Sequence, residues 1–136
     1  MEEGRLNILV VDDAEIVVQR LFEILNEIDC LSSIFNAGSY DQAVNIIKEN
    51  KLDIILLDIQ MPGKNGIELL GFIRKKYPKI IIIMLTNRVS DFYKELCKNM
   101  GANYFIDKSS EFENIPSIIK SLMPKAKKIL KPEKPL

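Results

Sequence analysis

Apolar residues along this chain fall into short runs that alternate with stretches of helical spacing. Five runs rich in aliphatic and β-branched residues predict strands, at 6–11, 31–35, 53–57, 80–85 and 103–106. Between these runs, apolar residues recur three or four positions apart, which predicts amphipathic helices. The first such helix covers 15–28, with Val17, Leu21, Leu25 and Ile28 on one side. The pattern therefore predicts five strand–helix units.

Capping residues predict where several helices begin and end. Ser39 and Gln42 form a predicted capping box, in which Ser39 accepts the third helical N–H and Gln42 reaches back to the cap. Asn65 predicts the start of the third helix, and Ser90 caps the fourth, which Gly101 ends. The fourth helix is predicted to carry four apolar residues, Phe92, Leu96, Cys97 and Met100.

Strands that alternate with helices predict right-handed βαβ crossovers and a three-layer α/β sandwich. Five units of this length fit a flavodoxin-like, doubly wound parallel sheet with strand order 2-1-3-4-5. The last helix is predicted from about Asn114 to Met123. Residues 124–136 contain three prolines and five lysines. We therefore predict one domain over 1–123, followed by a flexible Lys/Pro-rich tail or linker stub.

Composition and charge exclude several classes of protein. The chain has 136 residues, which suits one domain, and its 19 basic residues balance its 19 acidic ones. Nucleic-acid binders normally have a basic excess, and a membrane span needs an apolar run of ~18 residues; neither is present. The start, Met-Glu-Glu-Gly, lacks the positive charge of a signal peptide. We expect a cytoplasmic protein that contacts neither nucleic acid nor membrane.

The absence of histidine and the small number of cysteines narrow the possible chemistry. A chain without histidine has no Ser-His-Asp triad and no histidine-bound metal. Any metal must be held by oxygen ligands, which suit Mg²⁺. Cys30 and Cys97 each lie next to apolar residues, so we expect two buried thiols rather than a disulfide.

Polar residues stand where four of the predicted strands end. Parallel strands of order 2-1-3-4-5 bring their carboxyl ends to one crevice. The residues expected to meet there are Asp12, Asp13, Asp58, Thr86 and Lys108. Three clustered carboxylates repel each other, and a divalent cation relieves that repulsion. An aspartate held beside such a cation is a possible nucleophile that forms an aspartyl-phosphate.

Each of these polar residues also has an ordinary explanation. Asp13 could cap the first helix, Asp58 could belong to a turn, and Thr86 could be a plain strand residue. Lys108 could be a solvated charge. Together, however, they place acid, acid, hydroxyl and amine at the ends of strands 1, 3, 4 and 5, which favours a functional site.

Four motifs carry a resemblance to a known family, namely "VVDDA", "LLDIQMPGKNG", "MLTN" and "YFIDKS". From about Leu6 to Met123 the chain resembles the receiver domain of bacterial two-component response regulators, of the stand-alone chemotaxis-regulator type. The resemblance implies that Asp58 is the phosphoacceptor. It also implies that Asp13, Asp58 and the backbone carbonyl of Gln60 bind Mg²⁺, with Asp12 acting through water.

The resemblance also assigns roles around the phosphoacceptor. Thr86 would be the switch hydroxyl, Lys108 would pair with a phosphoryl oxygen, and Phe105 would swing inward on activation. Gln60 and Arg88 lie two residues after the acceptor and the threonine, and we expect them to tune the phosphoryl lifetime.

Three positions depart from the commonest pattern of the family. Ser109 follows Lys108 where many receivers have a proline in a cis peptide. Asn87 replaces the small residue often found after the threonine, and Phe105 lacks the hydroxyl of a tyrosine.

A receiver implies particular partners rather than an enzymatic product. The donor would be a phosphohistidine on a sensor histidine kinase or phosphotransfer protein. The output would be a downstream protein, bound through the fourth helix, fifth strand and fifth helix, where a homodimer could also form. The chain would be a stand-alone receiver or part of a longer protein.

Three alternatives differ in class. A haloacid-dehalogenase-type phosphatase needs a second acid two residues after its nucleophile, and Gln60 and Ala14 stand at those positions. A flavodoxin-type cofactor binder needs a glycine-rich phosphate loop after the first strand, which the sequence lacks. A receiver-like scaffold that takes no phosphate remains the main rival, and the complete acid, threonine and lysine set argues against it.

Overall fold

The fold is described here from a computed structural model, which covers the backbone of residues 5–61, 63–87 and 91–130 and the side chains of these residues up to 122. The strands are β1 Leu6–Val11, β2 Leu31–Ala37, β3 Ile54–Asp58, β4 Ile81–Thr86 and β5 Tyr104–Asp107. The helices are α1 Glu15–Asn26, α2 Tyr40–Glu49, α3 Gly66–Lys76, α4 Asp91–Asn99 and α5 Ile115–Leu130, and a short 3₁₀ helix, Phe112–Asn114, precedes α5.

The five strands form one sheet in the order β2-β1-β3-β4-β5, and every neighbouring pair is parallel. The predicted fold class and strand order are therefore confirmed. Strand β3 lies at the centre, between β1 and β4. The carboxyl ends of β1, β3, β4 and β5 consequently lie along one edge.

Helices cover both faces of the sheet, which explains why its central strands are almost purely apolar. All five residues of β3 are buried. Side chains alternate along a strand, so Ile54 and Leu56 join the apolar cluster that contains α1 and α5 residues. Ile55 and Leu57 join the cluster on the opposite face, beside α2 and α3. The two clusters enclose the sheet and leave Asp58 as the first charged residue of β3.

Helix caps largely follow the sequence. Ser39 accepts the Gln42 N–H (3.2 Å), as predicted, but Gln42 Oε1 accepts the N–H of Gly38 (2.8 Å) rather than that of Ser39. Asn65 and Glu68 form a complete capping box at the start of α3, with bonds of 3.0 and 2.9 Å. This box fixes the end of the loop that follows Asp58.

The predicted end of the last helix at Met123 is wrong, because α5 continues to Leu130. Lysine, alanine and leucine residues follow Pro124, and all three are good helix formers. Residues 131–136 lie outside the described residues. The division into a domain over 1–123 and a flexible tail therefore remains a prediction.

The apolar residues predicted for the fourth helix lie on more than one of its faces. Gly101 ends it with a φ of 106°, as expected, and Cys97 is buried. Phe92, however, is 69% exposed. Five residues along a helix correspond to about 140° around its axis, so Phe92 points away from the face that contains Cys97. The cap proposed at Ser90 lies outside the described residues.

Neither cysteine forms a disulfide bond; Cys97 is buried and Cys30 is half-buried. Within the part of the chain that the structure describes, no helix is long and apolar enough to cross a membrane.

Replacing Gly66 with alanine is expected to destabilise the fold by about 2–3 kcal/mol. A β-carbon at this position would overlap the carbonyl oxygen of Asp58 and lie 2.9 Å from the Cα of Ile59. Urea denaturation measures the loss. The matched control is Gly71→Ala in the same helix, where the new methyl would meet only the end of the Met100 side chain at 3.4 Å. The control should be neutral or gain up to about 1 kcal/mol; equal stability of the two variants would contradict the expectation.

Candidate functional site

The carboxyl edge of the sheet contains buried polar residues. Among the residues whose burial is described, Asp12, Asp58 and Thr86 are the only buried polar ones. Asp12 follows β1, Asp58 ends β3 and Thr86 ends β4, so the sheet itself places them. Burying polar groups at the end of an apolar strand costs free energy unless they are paired. Their position therefore points to a site.

The three predicted acids lie close together. One carboxylate oxygen from each of Asp12, Asp13 and Asp58 falls within 4.8 Å of the others. Asp12 and Asp58 are buried, whereas Asp13 is exposed. Asp12 Oδ1 accepts the backbone N–H of Ala14 (2.9 Å), which holds this carboxylate in place.

The ammonium group of Lys108 lies between two of these acids. Its Nζ is 2.6 Å from Asp12 Oδ2 and 3.2 Å from Asp58 Oδ1, and its side chain is only 6% exposed. Apart from this ion pair, Asp12 Oδ2 has no hydrogen-bond partner among the described residues. The backbone N–H of Lys108 donates to the carbonyl of Thr86 (2.7 Å). Lys108 is thus fixed at both its backbone and its charged end.

Burial raises the pKa of Asp58 from 3.8 to about 6. Desolvation is the largest cause, and the charge of Asp12 adds to it. The charge and hydrogen bond of Lys108, and the N–H of Gln60 at 3.3 Å, act in the opposite direction without cancelling the rise. A second cation at this site would favour the carboxylate form of Asp58.

The residues present fit a hard divalent cation. The cluster of Asp12, Asp13 and Asp58 offers carboxylate oxygens of the kind that Mg²⁺ prefers. The incompletely bonded Oδ2 of Asp12 is also what a site for a cation and its bound water requires. The side chain of Gln60, whose backbone carbonyl is a predicted ligand, is exposed.

The remaining predicted residues lie around this edge. Phe105 is half-buried, pairs with Met84 in the β4–β5 register, and packs against the apolar cluster beside α2 and α3. Asn87 is exposed, and Arg88 lies outside the described residues. The peptide bond between Lys108 and Ser109 is trans.

Sequence reasoning missed a second set of polar contacts at the end of β5. The carboxylate of Asp107 accepts three hydrogen bonds, from Ser109 and Ser110, and Glu111 accepts the N–H of Asp107. These bonds hold the pKa of Asp107 below its usual range. Aspartate followed closely by serine is a known turn signal, so "DKSS" contained this information.

Asp58→Asn is expected to stabilise the metal-free protein by about 2–3 kcal/mol at pH 7.5. Because the folded state holds the proton up to pH about 6 and the unfolded chain only to near 3.8, the wild type loses this stability as the pH rises between these values. The amide has no proton to lose. Urea denaturation in a chelator at pH 7.5 and 4.5 measures the gain, which should shrink at the lower pH.

The control for this prediction is Asp29→Asn, which removes an exposed carboxylate in a turn. It should show no gain at either pH. A loss of stability in Asp58→Asn at pH 7.5 would contradict the assignment to Asp58 of a buried charge that Lys108 offsets only in part.

Comparison with known proteins places the chain in a family. The pattern of the response regulator receiver domain matches residues 8–120. The chain is 31% identical over 118 residues to the DNA-binding transcriptional activator EvgA of Escherichia coli K12, covering 85% of this chain and 56% of EvgA. It is 32% identical over 123 residues to the transcriptional regulatory protein MalR of Bacillus subtilis, covering 90% and 52%. The chain therefore spans about half the length of these relatives.

A solved structure shows the same architecture. The CheY-like receiver domain protein from Methanospirillum hungatei JF-1 matches with a TM-score of 0.81 at 26% identity, over 92% of this chain and 98% of that one. The sheet order, the acid cluster and the matched residues 8–120 agree with the resemblance carried by the motifs. The chain belongs to the response regulator receiver domain family of two-component signalling systems.

Proposed function

We propose that this receiver accepts a phosphoryl group on Asp58 and uses it to change which proteins it binds. One observation carries the proposal: Lys108 Nζ lies 2.6 Å from Asp12 and 3.2 Å from Asp58 at the buried end of the sheet. An acceptor carboxylate, a neighbouring acid and a cation are thereby held together before any donor arrives. Phosphoryl transfer depends mainly on such positioning and on charge stabilisation.

In the transfer step, a carboxylate oxygen of Asp58 attacks the phosphorus of a phosphohistidine. The P–O bond to Asp58 forms as the P–N bond breaks, and the donor imidazole leaves with the bonding electron pair. Only the ionised carboxylate is a nucleophile, so Lys108 helps by favouring that form of Asp58. The same ammonium group pairs with a phosphoryl oxygen once the new bond has formed.

Mg²⁺ supplies further neutralisation of charge on the phosphoryl group when it is bound. Asp13, Asp58 and the backbone carbonyl of Gln60 would hold it, with Asp12 acting through a bound water. The chain contributes the arrangement of these oxygen atoms. The Asp12 carboxylate is held in position by the hydrogen bond that it accepts from the Ala14 N–H. The buried position of Asp58 limits the access of bulk water.

Phosphorylation switches the protein by adding acceptor oxygens beside Thr86 and Lys108. The Thr86 hydroxyl moves toward the phosphoryl group, and Phe105 fills the space that this movement opens. The surface of α4, β5 and α5 then changes. Shifting a population from 1:99 to 99:1 needs ~5.5 kcal/mol, which a few charge-assisted hydrogen bonds of ~1.5–3 kcal/mol each can supply.

The partners follow from this chemistry. The chain has no histidine, so the donor is another molecule, a sensor histidine kinase or a phosphotransfer protein. The receiver acts in the cytoplasm, its output is a protein bound at the α4–β5–α5 surface, and a homodimer can form through the same surface. The product is a conformational state rather than a released metabolite, and balanced charge argues against direct contact of this chain with nucleic acid.

Mass spectrometry after incubation with Mg²⁺ and acetyl phosphate tests the proposal. We expect the protein to gain one phosphate, and Asp58→Asn to gain none. Asp53→Asn is the control, because Asp53 lies at the opposite end of β3, where its carboxylate accepts the N–H of Asn7 (2.8 Å). No gain in the wild type would favour a scaffold that works without phosphate.

The phosphoryl lifetime is expected to fall in Arg88→Ala. Arg88 stands two residues after Thr86 in the sequence, and we expect its long side chain to screen the acyl phosphate from the attacking water. We expect a decrease of at least threefold, measured as loss of phosphate after removal of the donor. Gln60→Ala, at the other tuning position, is the companion variant. An unchanged or longer lifetime in Arg88→Ala would overturn the screening role.

A further inference from the structure

We infer that Asp107 is a positioning residue that holds Lys108 in the place it needs for phosphoryl transfer. The inference rests on the proposed function of the site. It starts from a feature that the chemistry above does not use, the polar turn that follows β5 and contains Asp107, Ser109, Ser110 and Glu111.

The carboxylate of Asp107, the residue before Lys108, accepts hydrogen bonds from the two residues after Lys108. Its Oδ1 accepts both the N–H and the hydroxyl of Ser109, at 2.9 and 2.7 Å, and its Oδ2 accepts the hydroxyl of Ser110 at 3.1 Å. The residues on both sides of Lys108 are thus joined through one side chain. Rotation of the backbone at Lys108 would break these bonds.

The backbone of the same turn is closed as well. The carbonyl of Asp107 accepts the N–H groups of Ser110 and Glu111, at 3.3 and 2.8 Å. The N–H of Asp107 donates to Glu111 Oε1 at 2.8 Å. Every polar group of Asp107 therefore has a partner within four residues, and Lys108 lies inside this closed turn.

This arrangement matters because lysine is a long, flexible side chain. An ammonium group stabilises a transition state only if it is held where charge develops, so that no reorganisation is needed during the reaction. The buried Nζ of Lys108 is fixed by Asp12 and Asp58 at one end. When the phosphoryl group arrives, those contacts change, and what remains is the backbone of Lys108, held by the Thr86 carbonyl and by the turn that the Asp107 carboxylate closes.

The first experiment measures the rate of phosphorylation by acetyl phosphate with Mg²⁺ in excess. Asp107→Ala should be about tenfold slower at saturating donor, whereas the Mg²⁺ concentration for half-maximal rate should stay unchanged. Asp107→Asn keeps an acceptor oxygen for Ser109 and should recover most of the rate. The control is Glu113→Ala, which removes an exposed acid nearby and should match the wild type.

A double-mutant cycle separates positioning from general damage. In a Lys108→Ala background, Asp107→Ala should have no further effect on the rate, because there is no ammonium group left to position. A tenfold loss in both backgrounds would overturn the inference, as would a wild-type rate in Asp107→Ala.

A second readout does not depend on phosphate uptake. NMR of the lysine ammonium groups should show a slowly exchanging signal for Lys108 in the wild type, identified by its absence in Lys108→Ala. The signal should be lost in Asp107→Ala and kept in Glu113→Ala. If the wild type took no phosphate, the proposed function would fail, but the NMR measurement would still decide whether Asp107 positions Lys108. An unchanged Lys108 signal in Asp107→Ala would overturn that role.

Discussion

The contact of one ammonium group with two buried carboxylates is the interaction on which the functional edge of this protein depends. Asp12 and Asp58 are both buried at the ends of adjacent apolar strands, where their charges are poorly solvated and repel each other. Lys108 offsets this cost from β5, at the far side of β4. The ion pairs of Lys108 with Asp12 and Asp58 can therefore form only when β1, β3 and β5 occupy their places in the sheet. The pKa of Asp58 consequently depends on the correct assembly of the sheet.

Much of the fold could be predicted from sequence because the sheet is covered on both faces. Such strands are rich in apolar residues, and all five were predicted to within two residues at each end. The end of the last helix, however, was predicted wrongly. Helix α5 continues past Pro124, and the lysine, alanine and leucine residues that follow the proline favour a helix.

The candidate site was largely predictable for a different reason. Parallel strands end at one edge, so Asp12, Asp58, Thr86 and Lys108 had to lie near each other once the strand order was known. What could not be derived is which atoms are in contact. That Lys108 bonds to Asp12 more closely than to Asp58, or that Asp107 bonds to both serines after Lys108, depends on side-chain rotamers and turn geometry that a one-dimensional pattern does not contain.

The hydrogen bond from the Lys108 N–H to the Thr86 carbonyl has a mechanical consequence. Thr86 and Lys108, which we propose to contact the same phosphoryl group, are joined through their main chains one residue past the last paired position of β4 and β5. This hydrogen bond opposes a shift of either strand along the other. If Thr86 and Phe105 act as proposed, we expect the switch to proceed by rotation of the Thr86 hydroxyl and the Phe105 ring while the backbones of β4 and β5 stay paired.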